Sequence, residues 1–155
     1  MKGNEKVIAR LNARLSEELS AISQYMVHSE MCANWGYGKL HEAIEKRARD
    51  EMKHAEKLIA RILFLEGKPV VSKLAPLKIG AKVEAQHKSD WAAEHGAIGS
   101  YNDDLQFTAK VGDGGTHDLL EDILADEEAH IDWIEAQLGQ IEQLGIQTYL
   151  SEQIA

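Results

Sequence analysis

The chain has 155 residues, 44% of them hydrophobic, which suffices for a single buried core but contains no apolar run long enough to span a bilayer. Seventeen Lys and Arg against 26 Asp and Glu leave a net charge of −9, which argues against nucleic acid as the main partner, because such binding relies on clustered cations. One cysteine, Cys32, excludes an intrachain disulfide framework and any Cys-rich zinc or iron–sulfur knuckle.

The opening Met1-Lys2-Gly3-Asn4-Glu5-Lys6 lacks the apolar stretch of a signal peptide, so a soluble cytoplasmic protein is expected. Val7, Ile8, Leu11, Leu15, Leu19, Ile22 and Met26 recur at spacings of three and four, predicting an amphipathic helix that Gly36-Tyr37-Gly38 breaks after Trp35. A second periodic stretch predicts a helix from about Leu40 to Glu66. Gly67, Pro69, Pro76 and Gly80 then mark a longer connection holding both prolines. A third helix is predicted from about Ala81 to Val111, closed by Gly112-Asp113-Gly114-Gly115. That turn lacks the Gly-Lys-Ser/Thr ending of a phosphate cradle and reads as a helix–helix turn. Thr116 is the expected N-cap of a fourth helix reaching about Leu144, where Gly145 stops it, and Ile146 to Ile154 are expected to form a short fifth.

No period-two alternation signals strands. Four helices, each about 40 to 47 Å long at ~1.5 Å per residue, joined short–long–short, predict an all-α four-helix bundle with one long crossover and a short C-terminal fifth helix. The whole chain, 1–155, is expected to form this one domain.

A repeat carries the chemistry. Shifting the chain by 76 residues places Glu18 on Glu94, Ala21 on Ala97, Ile22 on Ile98 and Tyr25 on Tyr101. The same shift places Asp50 on Asp126, Glu51 on Glu127 and His54 on His130. In each half a lone carboxylate precedes a Glu-x-x-His by 33 residues, so two related hairpins, about 5–66 and 81–144, are expected to face each other. Positions i and i+3 share a helix face, and Glu18 and His54 fall on the apolar stripes of their helices. Four carboxylates buried without partners would each cost several kcal/mol or be driven to protonate. Two divalent cations would remove that cost, and mixed carboxylate–imidazole ligation suits iron or manganese. One Glu-x-x-His is common on solvent faces. Two on core faces, each with an equally spaced upstream Glu, match the ligand pattern of di-iron and di-manganese carboxylate bundles.

Met52 lies 100° from Glu51 on the helix and about 160° from His54, so it points away from the interior. Ala48, Met52, Ala55 and Ile59 form a second apolar stripe, matched by Leu19, Ser23 and Met26 on the first helix, which predicts a subunit interface. The repeat places Glu128 opposite Met52, so the halves differ here.

The chain resembles the bacterioferritins end to end. The resemblance rests on the Met1-Lys2-Gly3 opening, Gln24-Tyr25, Asn34-Trp35-Gly36, Asp50-Glu51-Met52-Lys53-His54-Ala55, Arg61 to Gly67, Asp126-Glu127-Glu128, His130-Ile131-Asp132-Trp133 and Tyr149-Leu150. It implies iron storage and detoxification in a hollow shell, with ferroxidase oxidation of Fe(II) by oxygen or hydrogen peroxide at a centre within each subunit. Glu51 and Glu127 would bridge two iron ions, Glu18 and His54 completing one site, and Glu94 and His130 the other. Tyr25 matches the tyrosine beside that centre. The role of Tyr101 stays open, and a core tyrosine satisfied by a buried carboxylate is the plain reading of both. Met52 matches the axial ligand of haem b shared across a twofold dimer, a plain interface methionine being the other reading. A homo-oligomer of twenty-four subunits is implied, with a ferredoxin as a partner for iron release and neither nucleic acid nor membrane.

Two departures stand out. Glu45 and Lys46 occupy positions where relatives usually carry Tyr-His, the histidine serving an inner-surface iron site with the aspartate matching Asp50. His28, His41, His87, His95 and His117 show no paired spacing and are expected at surface or interface positions. Other functions compatible with the same residues are a rubrerythrin-like di-iron oxidoreductase and a haem-bearing shell subunit with an idle centre.

Overall fold

A computed structural model describes residues 1–154. It contains α1 (Glu5–Asn34), α2 (Gly38–Phe64), α3 (Val83–Lys110), α4 (Gly114–Leu144) and α5 (Ile146–Ser151). Among the described residues there is no strand, and no helix is long and apolar enough to cross a membrane. The bundle with one long crossover and a short fifth helix is therefore the fold observed.

Helix ends follow local chemistry. The Asn4 side chain accepts from the Lys6 and Val7 N–H groups and caps α1. The expected cap at Thr116 is wrong by three residues. Asp113 caps α4, its carboxylate accepting from both the Thr116 N–H and hydroxyl, so Thr116 sits inside the first turn. An aspartate at the preceding turn out-competes threonine because it can serve both donors at once. Helix α5 ends at Ser151, short of the expected Ile154.

Register is fixed by pairs that cross between helices. Arg10 with Asp104, Glu18 with Tyr101, Tyr25 with Glu94 and Cys32 with Gln86 run α3 antiparallel to α1. Arg61 with Asp113, His54 with Asp126 and Asp50 with His130 run α4 antiparallel to α2. The chain thus goes up, down, down and up, and the crossover must climb the full height of α1. It does so as extended chain zipped to every fourth residue of that helix. The Val70 N–H donates to Asn12 Oδ1, the Ser16 hydroxyl to Lys73 O, and the Ala75 N–H to Ser20 Oγ. Above these, the Lys78 N–H donates to Gln24 Oε1 and the Gly80 N–H to His28 Nε2. Four helical residues rise about 6 Å, which two or three residues of extended chain at ~3.3 Å each also cover. The polar ladder satisfies backbone groups that have no sheet to join.

The core comes in two apolar clusters. One holds Val7, Leu11, Leu15, Leu58, Ile62, Tyr101, Leu120 and Ile123; the other holds Tyr25, Cys32, Leu40, Ile44, Ile141 and Tyr149. A polar belt between them contains Glu18, Glu51, His54, Glu94 and Glu127, all buried. Above the belt, Asp90 accepts from Gln24 Nε2, His28 Nδ1 and the Arg47 guanidinium. His28 and His87 are fully buried, contrary to the surface or interface position expected for them. Each has found a polar neighbour, which a single sequence spacing does not reveal: His28 bridges the crossover to Asp90, and His87 Nε2 lies 3.0 Å from the Tyr149 hydroxyl. That hydroxyl donates to Gln137, anchoring α5.

Burial, with Arg47 nearby, pulls the His87 ring down to about 4. The unfolded chain protonates the same ring near pH ~6.5, so the folded state loses stability as pH falls from there towards about 4. We expect His87→Gln to flatten the fall in Tm across this range relative to the wild type. Parallel curves for the two proteins would remove His87 from the acid response.

Candidate metal centre

Helix periodicity brings six side chains to one level of the belt. Glu18, Glu51, His54 and Glu127 offer ligand atoms that all lie within 4.8 Å of one another, as do Glu51, Glu94, Glu127 and His130. The two groups share Glu51 and Glu127, one from α2 and one from α4, and draw Glu18 and Glu94 from α1 and α3. His54 Nδ1 lies 3.0 Å from Glu127 Oε1 and 3.6 Å from both Glu18 Oε2 and Glu51 Oε1. His130 Nδ1 lies 3.0 Å from Glu51 Oε1 and 3.4 Å from Glu94 Oε1. Two further groups, Glu30 with His41 and Glu45, and His117 with Asp118 and Glu121, lie on the surface instead.

The two halves brace each other crosswise. His54 Nε2 meets Asp126 at 2.8 Å, and His130 Nε2 meets Asp50 at 3.1 Å, so the aspartate preceding each Glu-x-x-His holds the histidine of the other half. With Nε2–H committed to a carboxylate, Nδ1 is the nitrogen turned to the glutamates, and it offers a lone pair to a cation once any proton on it is lost. Tyr25 donates to Glu94 Oε1 at 2.7 Å, and Tyr101 donates to Glu18 Oε1. Burial, reinforced by these carboxylates, pushes both phenols well above their usual pKa, so each stays a donor. The plain reading of the two tyrosines describes their contacts. Sequence reasoning missed the bracing by Asp50 and Asp126, although their equivalence under the 76-residue shift was a signal for it. Lys46 donates to Asp50 Oδ2 at 3.1 Å.

Each of the six residues leaves one buried atom without a hydrogen-bond partner: Glu18 Oε2, Glu51 Oε1, Glu94 Oε2, Glu127 Oε1, His54 Nδ1 and His130 Nδ1. All six are of the kinds that ligate cations, and their residues make up the two overlapping groups. In the protein alone the charge is relieved only by protons. Burial pushes Glu51 and Glu127 well above the usual carboxylate range, helped by the charge of Glu18 beside Glu51 and by the Glu94–Glu127 contact. Burial opposes charge on Glu94 too, but contacts with Glu127, His130 and Tyr25 outweigh it and hold Glu94 low. Burial likewise opposes a charged His54, yet Glu127 and Glu18 outweigh it and push that ring up to about 10. A donor set that must gather protons to exist without cations is one that cations fit.

Two openings reach this level from opposite sides of the bundle. A cavity of about 300 Å³ between α1 and α3 is lined by Glu17, Glu18, Ala93, Glu94, Gly96 and Ser100. A second, of about 310 Å³ between α2 and α4, is lined by Lys46, Arg47, Asp50, Asp126, Ala129 and His130. Outside the belt, Met52 is 49% exposed on α2, whose Ala48 and Ile59 are partly buried, and on α1 Met26 and Val27 are exposed and Leu19 is partly buried. Ala55, expected on that outer stripe, is buried in the lower core cluster because the same helical turn also meets the core.

If Asp50 and Asp126 fix the ligating tautomers, Asp50→Ala and Asp126→Ala should each weaken divalent-cation binding about 10- to 100-fold. Titration of the apoprotein with Co(II) measures this, and wild-type affinity in both variants would refute the orienting role.

The ferritin-like domain family matches residues 8–144. A bacterioferritin of Rhodobacter capsulatus is 43% identical over 149 residues, covering 96% of this chain and 92% of the relative. A bacterioferritin of Brucella melitensis is 40% identical over the same coverage. A bacterial ferritin of Synechocystis is 40% identical over 156 residues, covering 100% of both. With its bundle, crossover and belt of buried carboxylates, this chain belongs to the ferritin-like family, among the bacterioferritins.

Proposed function

We propose that this protein stores and detoxifies iron, oxidising Fe(II) to Fe(III) at a two-metal centre formed by Glu18, Glu51, His54, Glu94, Glu127 and His130. The observation that carries the reading is the set of six orphaned buried donor atoms, one from each of these residues, converging on one space. Glu51 and Glu127 belong to both groups and would be shared by the two ions; Glu18 with His54 would complete one site, and Glu94 with His130 the other. Iron is the substrate and supplies the redox chemistry. Two Fe(II) lose one electron each. Dioxygen takes that pair with two protons to give hydrogen peroxide, and peroxide takes another pair with two protons to give two waters.

The protein's part is geometric and electrostatic. Four carboxylates offset four positive charges of two Fe(II), and they favour the ferric product more strongly still because its charge is higher. Tyr25 and Tyr101 hold one oxygen each of Glu94 and Glu18, leaving the other oxygen for metal. Asp126 and Asp50 hold the histidine tautomers. Protons gathered by Glu51, Glu127 and His54 must leave as cations bind, so loading releases protons to solvent.

The outward face suits assembly into a cytoplasmic homo-oligomer, a shell of twenty-four subunits built from twofold dimers, with mineral inside and a ferredoxin as electron donor for iron release. An exposed thioether on an apolar patch fits a haem b held between two copies by Met52 from each. Such a haem supplies one-electron transfer.

Anaerobic titration should load two Fe(II) per subunit, and stopped-flow mixing with oxygen or peroxide should then show rapid oxidation. Glu51→Ala and Glu127→Ala should abolish that phase; wild-type initial rates in both would sink the proposal. Met52→Leu should lose the haem absorption band while still loading and oxidising two irons. Retained haem in that variant would free Met52 from the ligand role.

A further inference from the structure

We propose that Glu17 is the carboxylate that captures Fe(II) at the mouth of the α1–α3 cleft and passes it to Glu18 and Glu94, an inference that rests on the function proposed above. The cleft is walled by small residues, among them Ala21, Ala93, Gly96 and Ala97, and ends on the carboxylates of the belt. Glu18 Oε2 and Glu94 Oε2, on side chains only 2% and 1% exposed, are unpartnered there.

Glu17 stands one step further out, with its side chain 35% exposed. Both of its restraints fall on one oxygen: Arg14 lies 3.1 Å from Oε1, and the Ser100 hydroxyl donates to the same atom at 3.4 Å. Oε2 has no partner. A carboxylate clamped through one oxygen and free at the other can take a cation without first surrendering a hydrogen bond. Arg14 is also paired with Asp104 at 3.3 Å, so Glu17 is not its sole counter-charge. The nearby guanidinium weakens the hold of Glu17 on a cation, which suits transfer over storage.

The opposite opening has the reverse character. Lys46 and Arg47 stand at it, Asp50 is occupied by Lys46 and His130, and Asp126 by His54. A divalent cation arriving from that side meets like charge and engaged carboxylates. The charged lining of the α1–α3 opening is carboxylate alone, whereas the α2–α4 opening sets two cations against two engaged carboxylates, so the acidic side is the way in.

The test follows Co(II) uptake by the full-length apoprotein in a stopped-flow instrument, using the visible absorption of the bound ion. Glu17→Gln should slow loading about tenfold at low ionic strength, the lower end of electrostatic steering, and should reduce the dependence of the rate on salt. Its endpoint should remain two Co(II) per subunit. Gly96 lines the cleft and an added side chain there would meet nothing within 4 Å, so Gly96→Leu is accommodated without a clash and should also slow loading. Ala129→Leu, at the opposite opening, should leave the rate unchanged. Wild-type rates in both Glu17→Gln and Gly96→Leu, or slowing confined to Ala129→Leu, would overturn the role of Glu17. An endpoint below two in the wild type would instead overturn the two-metal reading.

Discussion

Four glutamates, each 1–2% exposed, meet in the middle of this bundle, and among the described residues none of them is ion-paired to a lysine or arginine. Burying one unpaired carboxylate costs several kcal/mol, so such a belt cannot be a passive part of the core. Much of the surrounding architecture serves it. The apolar core is divided into a lower and an upper cluster, with Tyr101 closing one and Tyr25 the other where they meet the belt. Each tyrosine turns its hydroxyl to a carboxylate and its ring to aliphatic neighbours, as suits an amphipathic side chain at such a boundary.

Bracing across the two halves gives the belt its rigidity. Tyrosine and aspartate from one hairpin hold the glutamate and histidine of the other, so neither half can position its donors alone. This arrangement demands an accurate register between α1 and α3 and between α2 and α4, pairs that are not neighbours in sequence. The crossover supplies part of that accuracy. Its ladder onto Asn12, Ser16, Ser20, Gln24 and His28 ties residues 70–80 to the middle of α1, and its last rung leads through His28 to Asp90 on α3.

The halves are related but not equivalent, and the differences lie outside the belt. Met52 is exposed on an apolar face, whereas Glu128 takes its place in the other half. The α1–α3 side offers the free oxygen of Glu17, and the α2–α4 side offers Lys46 and Arg47. Arg47 is itself buried, stacked 4.4 Å from the Tyr25 ring and bonded to Asp90, so one guanidinium links the α2–α4 opening to the tyrosine that holds Glu94. Equal donor sets thus face unequal surroundings.

The sequence by itself determined the helices, their order, and the six candidate donors, because a 3.6-residue period and an internal repeat are local properties that any folded context must respect. Helix ends were less legible: Asp113 rather than Thr116 caps α4, a choice between polar residues three apart that hydrogen-bond geometry decides. What the tertiary structure alone decided was pairing across the bundle. That Asp126 holds His54, that Tyr101 serves Glu18, that His28 and His87 are buried, and that only one oxygen of Glu17 is restrained are facts of distance between residues far apart in the chain. Periodicity places a residue on a face; it does not say which atom of another helix that face will meet.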